Sequence, residues 1–126
     1  MILLNEVIQI QELLIEKYGG AKGIRDLSML EAALNRPFMT FDQKELYVSI
    51  PDKACALICG IIQNHPFVDG NKRIGYFIFR AYLLSNQYDI QADENEKYEF
   101  VIHIADGSFK IEQTKEWLKK HIINKV

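Results

Sequence analysis

Between positions 65 and 73 the chain reads His65-Pro66-Phe67-Val68-Asp69-Gly70-Asn71-Lys72-Arg73. These nine residues hold a base, a carboxylate, a flexible joint and two cations. An imidazole titrates near neutrality and can take a proton from an incoming hydroxyl, so His65 is a candidate general base. If a helix opens at Asn71 or Lys72, its first backbone N–H groups have no partner within the helix and attract anions. Gly70 just before it can adopt a positive φ and let the backbone curl close to a ligand. Lys72 and Arg73 oppose the helix dipole there, at a cost of about 0.3–1 kcal/mol each. An anion offsets that cost, and the planar guanidinium of Arg73 suits phosphate oxygens. Asp69 would repel a phosphate unless a cation bridged them, and Mg²⁺ is commonly held by one or two carboxylates together with phosphates and water. Phe67 is expected to point into the core as an anchor, with Pro66 stiffening the turn. Taken singly, His65 reads as a structural residue at a helix end and Lys72-Arg73 as a solvated face. Together they support a phosphate-handling site, and on the residues alone both readings stand.

The elements that must position this stretch are helical, with apolar residues recurring at i, i+3, i+4. A first helix is expected over about Asn5 to Tyr18, with Val7, Ile10, Leu14 and Tyr18 inward and Gly19-Gly20 ending it. A second begins near Asp26 or Ser28, where Ser28 and Glu31 have capping-box spacing, and Pro37 stops it. Residues 38 to 50 lose the periodicity. Phe41, Leu46, Tyr47 and Val48 could form a short extended lid over a pocket or an ordinary inter-helix loop. Pro51 suits a helix start, and Ala54, Leu57, Ile58, Ile61 and Ile62 make that helix apolar almost all round, as befits the centre of a fold. Another apolar helix runs from Asn71 or Lys72 through Ile74, Phe77, Ile78, Tyr82 and Leu83 to about Gln87. Gly75 within it reads as a close-packing position. Asp93 caps a helix reaching Ala105, and a last helix covers about Ile111 to Ile123. The fold class is therefore all-α, a compact bundle presenting one polar loop between two central buried helices.

With 126 residues, no internal repeat and no linker-like tract, one domain over residues 1–126 is expected, large enough to bury a core. Fifteen basic and seventeen acidic side chains leave a formal charge of −2, which gives no broad footprint for direct nucleic-acid binding. No apolar run approaches the ~18–20 residues of a membrane span. The Met1-Ile2-Leu3-Leu4 start, interrupted by Asn5 and Glu6, lacks the features of a signal peptide. A cytoplasmic protein with no membrane partner is expected. Cys55 and Cys59 fall on one helix face within an apolar pattern and read as small core hydrophobes rather than a metal pair. His103 and His121 lie outside the motif and receive no role.

At residues 65–73 the chain resembles the Fic/Doc family, whose signature runs His-x-Phe-x-Asp/Glu-Gly/Ala-Asn-Gly/Lys-Arg. His65, Phe67, Asp69, Gly70, Asn71, Lys72 and Arg73 match every specified position. Upstream, Gly23-Ile24-Arg25-Asp26, Leu30-Glu31-Ala32-Ala33-Leu34, Pro37, Tyr47 and Asp52-Lys53-Ala54 resemble the Doc (death-on-curing) branch. The likeness covers roughly residues 20 to 85. It implies the Fic/Doc helical fold. It also implies His65 as the base toward a Ser, Thr or Tyr hydroxyl, and Asp69 as the holder of Mg²⁺ on the phosphates of ATP. Gly70, Asn71 and Lys72 would line the anion site, Arg73 would contact phosphate, and Phe67 would be the structural anchor.

Lys72 separates two activities within the resemblance. The larger Fic enzymes, which transfer AMP, have glycine there, whereas Doc-like toxins have lysine and hold the nucleotide in the reverse sense, with the γ-phosphate toward the base. The resemblance thus implies the toxin of a type II toxin-antitoxin system, a protein kinase that phosphorylates a translation factor, elongation factor Tu, and arrests protein synthesis. Adenylyl transfer is the runner-up. A non-catalytic phosphate-binding interaction or regulatory module is the alternative of another class, and a metal-dependent nuclease is more distant. Self-restraining Fic proteins carry Ser/Thr-x-x-x-Glu-Gly/Asn, but Ser108-Phe109-Lys110-Ile111-Glu112-Gln113 ends in glutamine. The resemblance therefore implies restraint by a separate, Phd-like antitoxin, with nucleic acid contacted only through that complex.

Overall fold

The computed structural model describes residues 2–125; Met1 and Val126, the two ends of the expected 1–126 domain, lie outside them. Helix α1 spans Leu4–Tyr18 and α2 spans Leu27–Asn35, followed by a 3-10 turn at Arg36–Phe38. A short hairpin, β1 Thr40–Phe41 and β2 Lys44–Glu45, leads into α3 Ile50–Asn64. Then come α4 Asn71–Ser85, β3 Tyr88–Ile90, α5 Glu94–Ala105, α6 Ile111–His121 and β4 Ile122–Asn124. The chain is the helical bundle expected, with six α-helices and two short two-stranded sheets among the described residues.

Helix α3 is the axis of the molecule because its sequence leaves it no polar face: every residue from Lys53 to Ile62 is buried. It packs most extensively on α4. Small residues permit the approach. A Cβ on Gly75 would stand 2.8 Å from Ile62 Cγ1, and one on Gly60 would stand 3.3 Å from Ala33 Cα. The α3–α4 pair separates two half-cores. On one side Cys55, Ile58, Cys59, Ile62 and Phe79 pack with Phe100 and Ile104 of α5 and Leu118 of α6. On the other, Leu57, Ile61, Ile74 and Ile78 pack with Val7 of α1, Leu30, Ala33 and Leu34 of α2, and Phe67 of the loop between α3 and α4. Both cysteines are free thiols, and burial raises the pKa of each, that of Cys55 strongly.

Side-chain caps set three of these six α-helix starts. Ser49 Oγ accepts from Asp52 N, and Asp93 forms a reciprocal capping box with Glu96. At α2 the cap is Asp26, whose carboxylate accepts from Met29 N at 3.0 Å. Ser28 lies inside the helix and donates to Asp26 instead. The capping-box spacing of Ser28 and Glu31 is therefore not used.

Three expectations need correction. Tyr18 does not turn inward. The buried stripe of α1 is Val7, Gln11 and Ile15, and Tyr18 is 54% exposed. Beyond Ile15 the surface facing α1 is the polar start of α4, so there is no core for the ring to enter. The last helix stops at His121, because Ile122–Asn124 pairs antiparallel with Tyr88–Ile90; α4, two helices earlier, ends at Ser85, close to the expected bound. The 38–50 segment is neither a lid nor a plain loop. It is a tight hairpin turning at Asp42 and Gln43, both with positive φ, and Phe41 on it is 76% exposed. It precedes α3, whereas the motif follows it, so a helix of 15 residues, about 22 Å long, separates them. Buried Lys53 ties the hairpin down by donating to Glu45 Oε1 at 3.1 Å and to the Tyr47 carbonyl. Among the described residues, no helix is long and apolar enough to cross a membrane.

Candidate active site

The polar motif occupies the turn between the two central helices, so both its ends are held by the most deeply buried part of the chain. His65 terminates α3 with φ 47° and ψ 55°, in the left-handed region. Gly70 opens α4 at φ 76° with no side-chain cap. The first intrahelical bond of α4 is Ile74 N to Gly70 O at 2.9 Å. The N–H groups of Asn71, Lys72 and Arg73 therefore have no partner within the helix and form the anion-attracting end foreseen in the sequence.

Asn71 braces the turn. Its Oδ1 accepts from Phe67 N and its Nδ2 donates to Phe67 O, each at 3.0 Å. Both ends of the buried amide are thus engaged in holding the turn, with one N–H and one lone pair left over. The Phe67 ring fills the α1–α2 half-core and is 1% exposed. The α1–α2 loop clasps the same turn from outside. Ile24 pairs with Phe67 as an antiparallel bridge, Val68 N donates to Gly23 O at 3.0 Å, and Arg25 N and Asp26 N donate to Pro66 O at 2.8 and 3.0 Å.

His65, Val68, Asp69, Gly70, Asn71, Lys72 and Arg73 line one open cavity of about 380 Å³. All the sequence-predicted site residues except the anchor Phe67 are therefore brought together. The His65 imidazole makes no hydrogen bond among the described residues and is exposed. Asp69 is the one carboxylate in the lining. Its Oδ1 accepts from Gly70 N at 3.0 Å and its Oδ2 from Ala21 N at 3.2 Å, which leaves further lone pairs on both oxygens. Gly20 allows the loop to come this close, since a Cβ there would stand 2.8 Å from Asp69 Oδ2. Among the described residues, no three His, Cys, Asp or Glu side chains form a metal cluster. A lone accessible carboxylate beside cationic groups does fit Mg²⁺, which takes phosphates and water for the rest of its shell.

Sequence reasoning missed three supporting residues. Arg73 lies over the ring of Tyr18, 4.3 Å from its centroid, so the exposed tyrosine steadies the guanidinium through a cation–π contact. Gln11, buried on α1, donates from Nε2 to the Asp69 carbonyl at 3.2 Å. Arg25 donates from Nε to the His65 carbonyl and from Nη2 to that of Asn64, at 2.6 and 2.7 Å. A glutamine in an otherwise apolar i, i+4 stripe was a readable signal for Gln11; the Arg25 contacts join positions too distant in sequence to leave one.

The sequence pattern of the Fic/DOC family matches residues 2–83. Toxin Doc of Mycolicibacterium smegmatis is 37% identical over 76 residues, covering 60% of this chain and 58% of that relative. The chain thus spans less than two thirds of the relative's length. With a family match over well more than half its residues and the motif assembled in one cavity, the chain belongs to the Fic/DOC family.

Proposed function

We propose that this chain is a Doc-type toxin that transfers the γ-phosphate of ATP to a hydroxyl of a translation factor, with elongation factor Tu as the expected target. The observation that carries this reading is the shared cavity, in which His65, Asp69, Lys72 and Arg73 surround an uncapped helix start. Lys72 lines this cavity and also the adjoining hollow of about 360 Å³ beneath Tyr76, Tyr98 and Val101. Its side chain stands where a glycine would leave open backbone. That favours γ-phosphate transfer over adenylyl transfer, as the lysine does in the family's Doc branch.

In the proposed reaction the His65 imidazole removes the proton from the target hydroxyl as its oxygen bonds to the γ-phosphorus. The bond from that phosphorus to the β,γ-bridging oxygen breaks, and ADP leaves with the electron pair. Arg73 and the first N–H groups of α4 hold the phosphates and stabilise the charge on their oxygens. Lys72 adds positive charge at the same end. Asp69 holds Mg²⁺, which when bound neutralises phosphate charge. The reading also includes growth arrest through blocked translation and restraint by a separate antitoxin. A groove between α1 and α4, lined by Leu14, Tyr18, Phe77 and Leu84, runs up to Arg73 and would give an antitoxin segment access to the site.

The test is to incubate the chain and purified elongation factor with Mg²⁺ and ATP labelled at either the α or the γ position. Label is expected on the acceptor from γ-labelled ATP alone. Transfer from the α position alone would replace the kinase reading by adenylyl transfer, and transfer from neither would remove elongation factor Tu as the acceptor.

A further inference from the structure

A helix that ends in a left-handed residue usually ends in glycine, and the chain's own following N–H groups satisfy its last carbonyls. Helix α3 ends differently. Its left-handed residue is His65, which carries a Cβ, and three consecutive carbonyls at this end turn to one residue elsewhere in the chain. The Arg25 guanidinium takes Asn64 O and His65 O at 2.7 and 2.6 Å, and the Arg25 backbone N–H takes Pro66 O at 2.8 Å. Among the described residues the His65 ring has no hydrogen bond of its own, so the backbone at residue 65 is what restricts the directions open to it. Arg25 does not line the motif cavity, so its substitution removes no wall of the site.

We propose that Arg25 is the positioning residue of His65: its fork clamps the carbonyls on either side of the His65 Cα and so aims the imidazole into the cavity. The catalytic half of this inference rests on the reading of His65 as the base; the aiming of the ring does not. A lysine could not reproduce the clamp, because one ammonium lacks the planar fork that meets two adjacent acceptors.

Two measurements on Arg25→Ala and Arg25→Gln test it. The first needs no activity. In the free protein labelled on histidine, the His65 ring signal is identified by its loss in His65→Ala. It is expected to shift and broaden in both arginine variants, while the signals of His103 and His121 stay in place. The second is kinetic. A misaimed base lowers kcat by about 10- to 100-fold, with KM for Mg²⁺-ATP held within about twofold. An unchanged His65 signal in either folded variant would overturn the clamp. A raised KM with wild-type kcat would overturn the catalytic role. A wild-type chain without phosphate transfer would defeat the proposed function, yet the ring signals would still decide whether Arg25 aims His65.

Discussion

Replacing His65 with alanine should lower the proposed phosphate transfer by about 10²–10⁴-fold, the usual worth of a general base, and should relieve the growth arrest proposed with it. The fold should survive. The imidazole is exposed and makes no hydrogen bond among the described residues. Histidine adopts the left-handed backbone of position 65 more readily than alanine, so a small loss of stability is expected. The measurement pairs labelled-ATP transfer with thermal unfolding of the purified variant. Wild-type transfer by folded His65→Ala would reject the base assignment. Arrest that persists while transfer is lost would instead favour the non-catalytic interaction module.

Two residues along the same turn, Phe67→Ala should act in the opposite way. Its ring is packed in the half-core with Val7, Leu30, Leu57, Ile61 and Ile74, and deleting a buried phenylalanine ring costs about 3–5 kcal/mol. That is a large part of the roughly 5–15 kcal/mol by which a domain is stable. The bonds from Asn71 to the backbone of residue 67 do not depend on the ring, so the loss is one of packing. Urea unfolding should show a midpoint shifted strongly down with little change in slope. An unchanged midpoint would mean that the turn is not anchored through this ring.

These paired outcomes reflect how the chain encodes its parts. Helices α3 and α4 were legible because an almost unbroken apolar pattern admits only a central position. The turn between them was legible because its polar residues are contiguous. Asp26, Pro37, Pro51 and Asp93 marked boundaries through local chemistry, and the structure uses all four. What could not be read arises from contacts distant in sequence. The pairing of Tyr88–Ile90 with Ile122–Asn124 has no local signature in three-residue strands, so the last helix seemed to run on. Tyr18 has helical spacing to Val7, but no core extends beyond Ile15 to receive it. Arg25 holds the site by reaching the carbonyls of Asn64 and His65, far along the chain, and its own neighbours do not point to them.

The burial of Cys55 and Cys59 inside α3 has a practical consequence. Both thiols are held protonated in an interior that a maleimide or disulfide reagent cannot reach. Such a reagent can label only molecules whose bundle has come apart, so the labelling rate in native buffer reports how often that happens. The chain thus carries an internal gauge of its own opening, one that needs neither nucleotide nor acceptor. It should register Phe67→Ala at once and leave His65→Ala close to the parent.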